Sequence, residues 1–182
     1  NNGQQCLAGS RILVHRSIAE EFIARFVERT RRIRIGDPMD PATEVGPLAF
    51  EQHLQRVLSY VDVARKDGAT LLTGGRRAQG VERGYYMEPT AVLATSNRDR
   101  VCREEIFGPF ATFLAYDSLD EAIAIANDSP FGLVAYVWAN DLDVVMRASR
   151  DLRAGTVWVN TTMVRELRAP FGGYKQSGVG RD

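Results

Sequence analysis

A chain of 182 residues, 45% hydrophobic and 25% charged, is long enough to bury a sizeable core and too apolar for a disordered or fibrous protein. Its 23 Lys and Arg balance 23 Asp and Glu, so no net field draws it to nucleic acid or to an anionic membrane, and no apolar run reaches the roughly 18 residues of a spanning helix. Two cysteines, Cys6 and Cys102, suit a reducing, cytoplasmic setting better than a disulfide scaffold.

In chain order, residues 11–14 (RILV) read as a short strand. Ser17 and Glu20 then have capping-box spacing for a helix reaching about residue 34, with Ile18, Phe22, Phe26, Val27 and Ile33 near one face. A Pro/Gly loop precedes a second amphipathic helix, residues 50–66, which stops near Gly68. Residues 70–75 and 85–93 read as extended, and 110–116 (FATFLAY) as a buried strand. Ser118 and Glu121 repeat the capping-box spacing for a helix to 127, and 133–139 is a strand. Asp141 is an N-cap for a helix to about 150, and 155–160 (GTVWVN) is the final strand.

This alternation predicts an α/β fold of three layers with mostly parallel strands. The glycines after Asn160, in PFGGYKQSGVGRD, suit tight turns rather than a strand or helix. Neither a G-x-G-x-x-G fingerprint nor a phosphate-binding G-x-x-x-x-G-K-[ST] loop occurs, so the chain carries no phosphate cradle of those kinds.

Three stretches carry candidate chemistry. Cys6, in NNGQQCLAGS, is either a small buried hydrophobe or a nucleophile; Gly3, Ala8, Gly9 and Ser10 around it allow close backbone approach, but no neighbouring Lys or His lowers its pKa. A segment at a chain end is also expected to fray. In CREEIFGPF, adjacent Glu104 and Glu105 must point differently: they are a solvated acidic pair, or one carboxylate accepts bonds from vicinal hydroxyls beside an aromatic face. NTTMVRELRAPFGG places Thr161, Thr162, Arg165, Arg168 and Phe171 in a shaped loop whose arginines are either solvated or face a ligand.

Taken in order, GQQC, EEIFGPF and PFGGYKQSGVGRD resemble the aldehyde dehydrogenase superfamily from end to end, and the 165–173 loop resembles dehydrogenases of hydroxymuconic-type semialdehydes. The resemblance implies that Cys6 attacks an aldehyde carbonyl to give a thiohemiacetal. Hydride then passes to NAD or NADP and leaves a thioester for hydrolysis, with the Cys6 N–H in the oxyanion hole. It assigns Glu105 to the nicotinamide ribose, Phe107 to packing by the nicotinamide, and Phe171 to the substrate entrance. Thr161, Thr162, Arg165 and Arg168 fall at the same entrance, where two guanidiniums suit an acidic semialdehyde. No metal is implied.

The resemblance also implies that residues 1–182 are part of a catalytic domain, cut at both ends. The Rossmann-type cofactor domain, the oxyanion asparagine, the water-activating glutamate and the oligomerisation strand of a homodimer or homotetramer lie elsewhere. Alone, the stretch is expected neither to turn over aldehydes nor to bind NAD tightly. Asp182 stands where the family has Glu. Three alternatives stay open: a CoA-acylating relative, a non-catalytic binding member, and a thiol hydrolase pairing Cys6 with His15 or His53.

Overall fold

Short runs of β-branched and aromatic residues form the strands, and helices with one apolar face cover them. The computed structural model describes residues 1–81, 83–164 and 166–182, which fall into two compact units, Asn1–Ala115 and Tyr116–Asp182. The first contains β1 (Arg11–His15), α1 (Arg16–Arg31), α2 (Glu51–Lys66), β2 (Thr70–Thr73), β3 (Thr90–Leu93), α3 (Arg100–Arg103) and β4 (Phe110–Tyr116), whose last residue enters the second unit. The four strands make one sheet in the order β1-β4-β3-β2. β3 and β4 run parallel, Thr90 opposite Phe110 and Leu93 opposite Phe113, and β2 is an antiparallel edge on β3.

Ala91 and Val92 point to opposite faces of β3 and are both fully buried, so the sheet is covered on both sides. On one face Val14, Ala91 and Phe113 form a core under Ala19, Ile23 and Phe26 of α1, with the Phe26 ring 5.0 Å from that of Phe113. α2 lies against β2 and α3 and buries Leu54, Val57, Val61 and Ala64 at helical spacing. Burial of each larger aliphatic chain contributes about 1.5–3 kcal/mol.

The second unit holds α4 (Leu119–Asn127), β5 (Phe131–Gly132), β6 (Val134–Val137), α5 (Leu142–Asp151), β7 (Thr156–Val159) and β8 (Tyr174–Lys175). β6 and β7 are parallel, and their facing Tyr136 and Trp158 rings stack at 5.3 Å. β5 and β8 pair antiparallel. Ser118 and Asp141 cap α4 and α5 as their spacing predicts, accepting from the N–H groups of Glu121 and Val144.

Three local expectations change. β1 runs into α1 without a loop, so the helix starts at Arg16 and His15 Nδ1, not the Ser17 hydroxyl, caps it by accepting the Ser17 N–H at 3.3 Å. The same helix stops at Arg31 because Arg34 turns to pair with Glu44 and Ile35 with Val45. The glycine-rich tail contains a two-residue strand, β8, because Phe131 and Gly132 offer it an edge more than forty residues upstream in sequence.

Candidate active site

The residues around Cys6 are tied down rather than frayed. The Asn1 side chain and carbonyl accept from the N–H groups of Gly3 and Gln4, and Gln4 accepts from Ala49 N–H at 3.0 Å through its own side chain. Leu7, 1% exposed, anchors the turn, while Cys6 is exposed. Gly3 is left-handed (φ +70°), and a Cβ there would lie 1.9 Å from the Gly108 carbonyl oxygen. Only glycine allows this approach. It presses the cysteine turn onto the loop that holds the acidic pair.

In that loop the two carboxylates separate. Glu104 turns toward the protein, where Arg100 donates to both its oxygens at 2.8 and 3.0 Å and the Tyr60 hydroxyl donates at 2.8 Å. The Arg100 bond, then the Tyr60 bond, hold its carboxyl below the usual range. Glu105 is exposed, so its acceptors remain open to an incoming donor. Phe107, at φ +62° and 36% exposed, presents its ring outward.

Phe107, Gln4, Phe50 and His53 border a cavity of about 450 Å³. The His53 ring stands 5.6 Å from Phe50 and 6.3 Å from Phe107, and its Nε2–H donates to the Phe107 carbonyl at 2.7 Å. An open cavity walled by Phe50, His53 and Phe107 suits a flat ring. Sequence reading weighed His53 only as a partner for Cys6 and missed its hold on the Phe107 carbonyl, which lies 54 positions away.

In the second unit the residues expected at a substrate entrance follow β7. Asn160 (φ +52°) exchanges two side-chain hydrogen bonds with Ala139, and Trp158 Nε1 donates to the Val164 carbonyl, which shapes the segment with half-buried Thr161 and exposed Thr162. The half-buried Phe171 exchanges both backbone bonds with Asp182, at 3.0 and 2.9 Å. Arg181 lies over the Tyr174 ring at 5.0 Å and donates to the Gly173 carbonyl. The exposed Arg168 is bidentate to Glu166, at 2.7 and 3.0 Å, so any substrate carboxylate competes with Glu166 for it. Arg165 lies outside the described residues.

Burial pushes the Cys102 thiol up to about 11, with the Asp99 charge adding to it. Both cysteines are free. His15 caps α1 and His53 holds the Phe107 carbonyl, so each imidazole has a task other than activating a thiol. Among the described residues no cluster of His, Cys, Asp and Glu could hold a metal ion, and no helix is long and apolar enough to cross a membrane.

A family model described as the aldehyde dehydrogenase family matches residues 1–182. The chain is 45% identical over 184 aligned residues to a betaine aldehyde dehydrogenase of Brucella anthropi, covering 100% of this chain and 38% of that protein. Among solved structures it is similar to HpcC from Thermus thermophilus, with a TM-score of 0.96 and 45% identity over 100% of this chain and 36% of that one. It is also similar to betaine aldehyde dehydrogenase from Staphylococcus aureus in complex with NAD+, with a TM-score of 0.94 and 40% identity over 99% of this chain and 36% of the other. The chain thus spans about 38% of the length of the curated relatives it matches.

Proposed function

The chain belongs to the aldehyde dehydrogenase family, and from that premise we propose that it forms the cysteine-bearing part of the catalytic domain of an NAD- or NADP-dependent enzyme that oxidises an aldehyde to a carboxylic acid. The Cys6 thiolate adds to the carbonyl carbon, forming a C–S bond and moving the C=O electron pair onto oxygen as a thiohemiacetal alkoxide. The Cys6 N–H donates to that oxygen, a contact of the kind worth about 3 kcal/mol. NAD or NADP, when bound, supplies the hydride acceptor. Glu105 would hold the nicotinamide ribose through its two oxygens and Phe107 would pack by the nicotinamide. Once the carbon loses its hydride, the alkoxide electron pair re-forms C=O as a Cys6 thioester. Water then breaks the C–S bond, its OH completing the carboxylic acid and its other proton going to the Cys6 sulfur.

The observation that carries this reading is the close approach of Gly3 to Gly108, which fixes the backbone of the Cys6 turn against that of the Glu105–Phe107 loop. A hydrolase using His15 or His53 loses ground because both imidazoles are engaged elsewhere.

Thr161, Thr162, Arg165, Arg168 and Phe171 would form the entrance, and the arginines favour an acidic semialdehyde. A second reading has support of its own: betaine aldehyde, on which the Brucella anthropi relative is named as acting, is a cation, and Arg168 is already neutralised by Glu166.

The test is made on the full natural polypeptide that carries these residues. Incubation with aldehyde and NAD, followed by acid quench and peptide mass analysis, is expected to find an acyl group on Cys6 and none on Cys102. Cys6→Ala is expected to abolish oxidation. Undiminished oxidation by that variant would overturn the reading, and the ratio of kcat/KM for acidic and cationic aldehydes decides the substrate class.

A further inference from the structure

Three side chains on one face of α2, His53, Arg56 and Tyr60, reach the segment 104–107 in register. Arg56 Nη2 donates to the Glu105 carbonyl at 2.6 Å and Nη1 to the Ile106 carbonyl at 2.8 Å, while His53 donates to the Phe107 carbonyl at 2.7 Å. Three consecutive carbonyls are therefore held by one helix. One turn further along, Tyr60 donates to Glu104, whose second grip comes from Arg100 of α3, and the Arg56 guanidinium lies 5.4 Å over the Tyr60 ring. Phe107 sits in a left-handed conformation that an aromatic residue adopts only where surrounding bonds over-determine it.

We propose that the His53–Arg56–Tyr60 face of α2 is a clamp that positions Glu105 and Phe107 for the cofactor; this rests on the cofactor reading above. Two adjacent carboxylates could exchange places by a modest backbone rotation, putting Glu104 outward and Glu105 inward. The clamp prevents this in two ways. Arg56 and His53 fix the three carbonyls and hence the peptide plane that follows Glu105 and those on both sides of Ile106 and Phe107. Tyr60 and Arg100 retain Glu104 as the inward carboxylate, which leaves Glu105 exposed. Tyr60 is a positioning residue, since its hydroxyl is occupied by Glu104 and acts on Glu105 only through the chain.

The test uses the full natural polypeptide with Tyr60→Phe, Arg56→Ala and Arg56→Lys. Removal of one bond to a charged group is expected to raise the Kd and KM for NAD roughly three- to tenfold in Tyr60→Phe, with kcat and the rate of Cys6 alkylation within about twofold of wild type. Without cofactor, amide exchange in a peptide spanning residues 101–110 is expected to quicken by roughly tenfold in Arg56→Ala, and to be partly restored in Arg56→Lys, whose ammonium can hold one carbonyl but not two.

Unchanged exchange in Arg56→Ala overturns the clamp. Faster exchange with unchanged NAD affinity in Tyr60→Phe overturns its link to the cofactor. A loss of kcat and of Cys6 alkylation in proportion to the loss of affinity in Tyr60→Phe also overturns it, since that is the mark of general unfolding. A wild-type protein that binds no NAD overturns the cofactor reading instead, and the exchange measurement then judges the clamp by itself.

Discussion

At 5% exposure Cys102 ionises only by bringing charge into an apolar site beside Asp99, which is why its thiol is pushed up to about 11. At pH 8 roughly one such thiol in a thousand is ionised. Iodoacetamide at that pH is expected to modify the exposed Cys6 at least about tenfold faster than Cys102, as read by peptide mass analysis; comparable rates would contradict the burial. The same shift makes stability depend on pH. The folded state retains the Cys102 proton above the pH at which the unfolded chain releases it, so the contribution is full below about pH 9 and is lost as pH rises toward 11. Cys102→Ala is expected to flatten that decline by about 2 kcal/mol in denaturant titrations at pH 8 and pH 11. A decline identical to that of wild type would count against it.

Between elements, glycines govern the approach of the two candidate loops. Gly3→Ala must relieve a 1.9 Å contact with a backbone oxygen as well as adopt a positive φ, whereas Gly80, at φ +77°, has open space around it. Gly80→Ala is expected to cost about 1 kcal/mol from backbone strain alone, and Gly3→Ala roughly 2 kcal/mol or more, with altered Cys6 labelling. Equal losses in thermal melts would mean that the contact is dispensable. Asp141→Ala is expected to cost about 1 kcal/mol through the lost cap on α5.

The caps at Ser118 and Asp141 were legible because side chain and target N–H lie three residues apart. Cys6, Glu105 and Phe107 were legible only as candidates for a site, each set in a motif. The hold of His53, Arg56 and Tyr60 on residues 104–107 was not legible, because a polar residue on a helix surface looks the same whether it faces water or a partner some fifty residues away. The pairing of β5 with β8 was hidden likewise, since two-residue strands carry no alternation and exist only through a partner distant in sequence.

At the scale of the whole chain, apolar burial is unevenly divided. Phe113, Leu48, Leu54, Val57, Met87, Ala91 and Val92 of the first unit are nearly sealed from solvent, whereas the buried hydrophobic core residues described in the second are Ala148 and Trp158. Trp138, Leu142 and Met146 of the second unit remain 65%, 71% and 64% exposed. Local stability follows buried apolar contact, and a segment with so small a core has little free energy holding its hydrogen bonds closed. The parallel β6–β7 pair, the Tyr136–Trp158 stack and the helix caps give the second unit shape, but each contributes about 1 kcal/mol. In the 182-residue chain, amides of α2 and β3 are therefore expected to resist deuterium exchange at least about tenfold longer than those of β6, β7 and α5. Uniform protection along the chain would show that the second unit draws stability from contacts other than its own core.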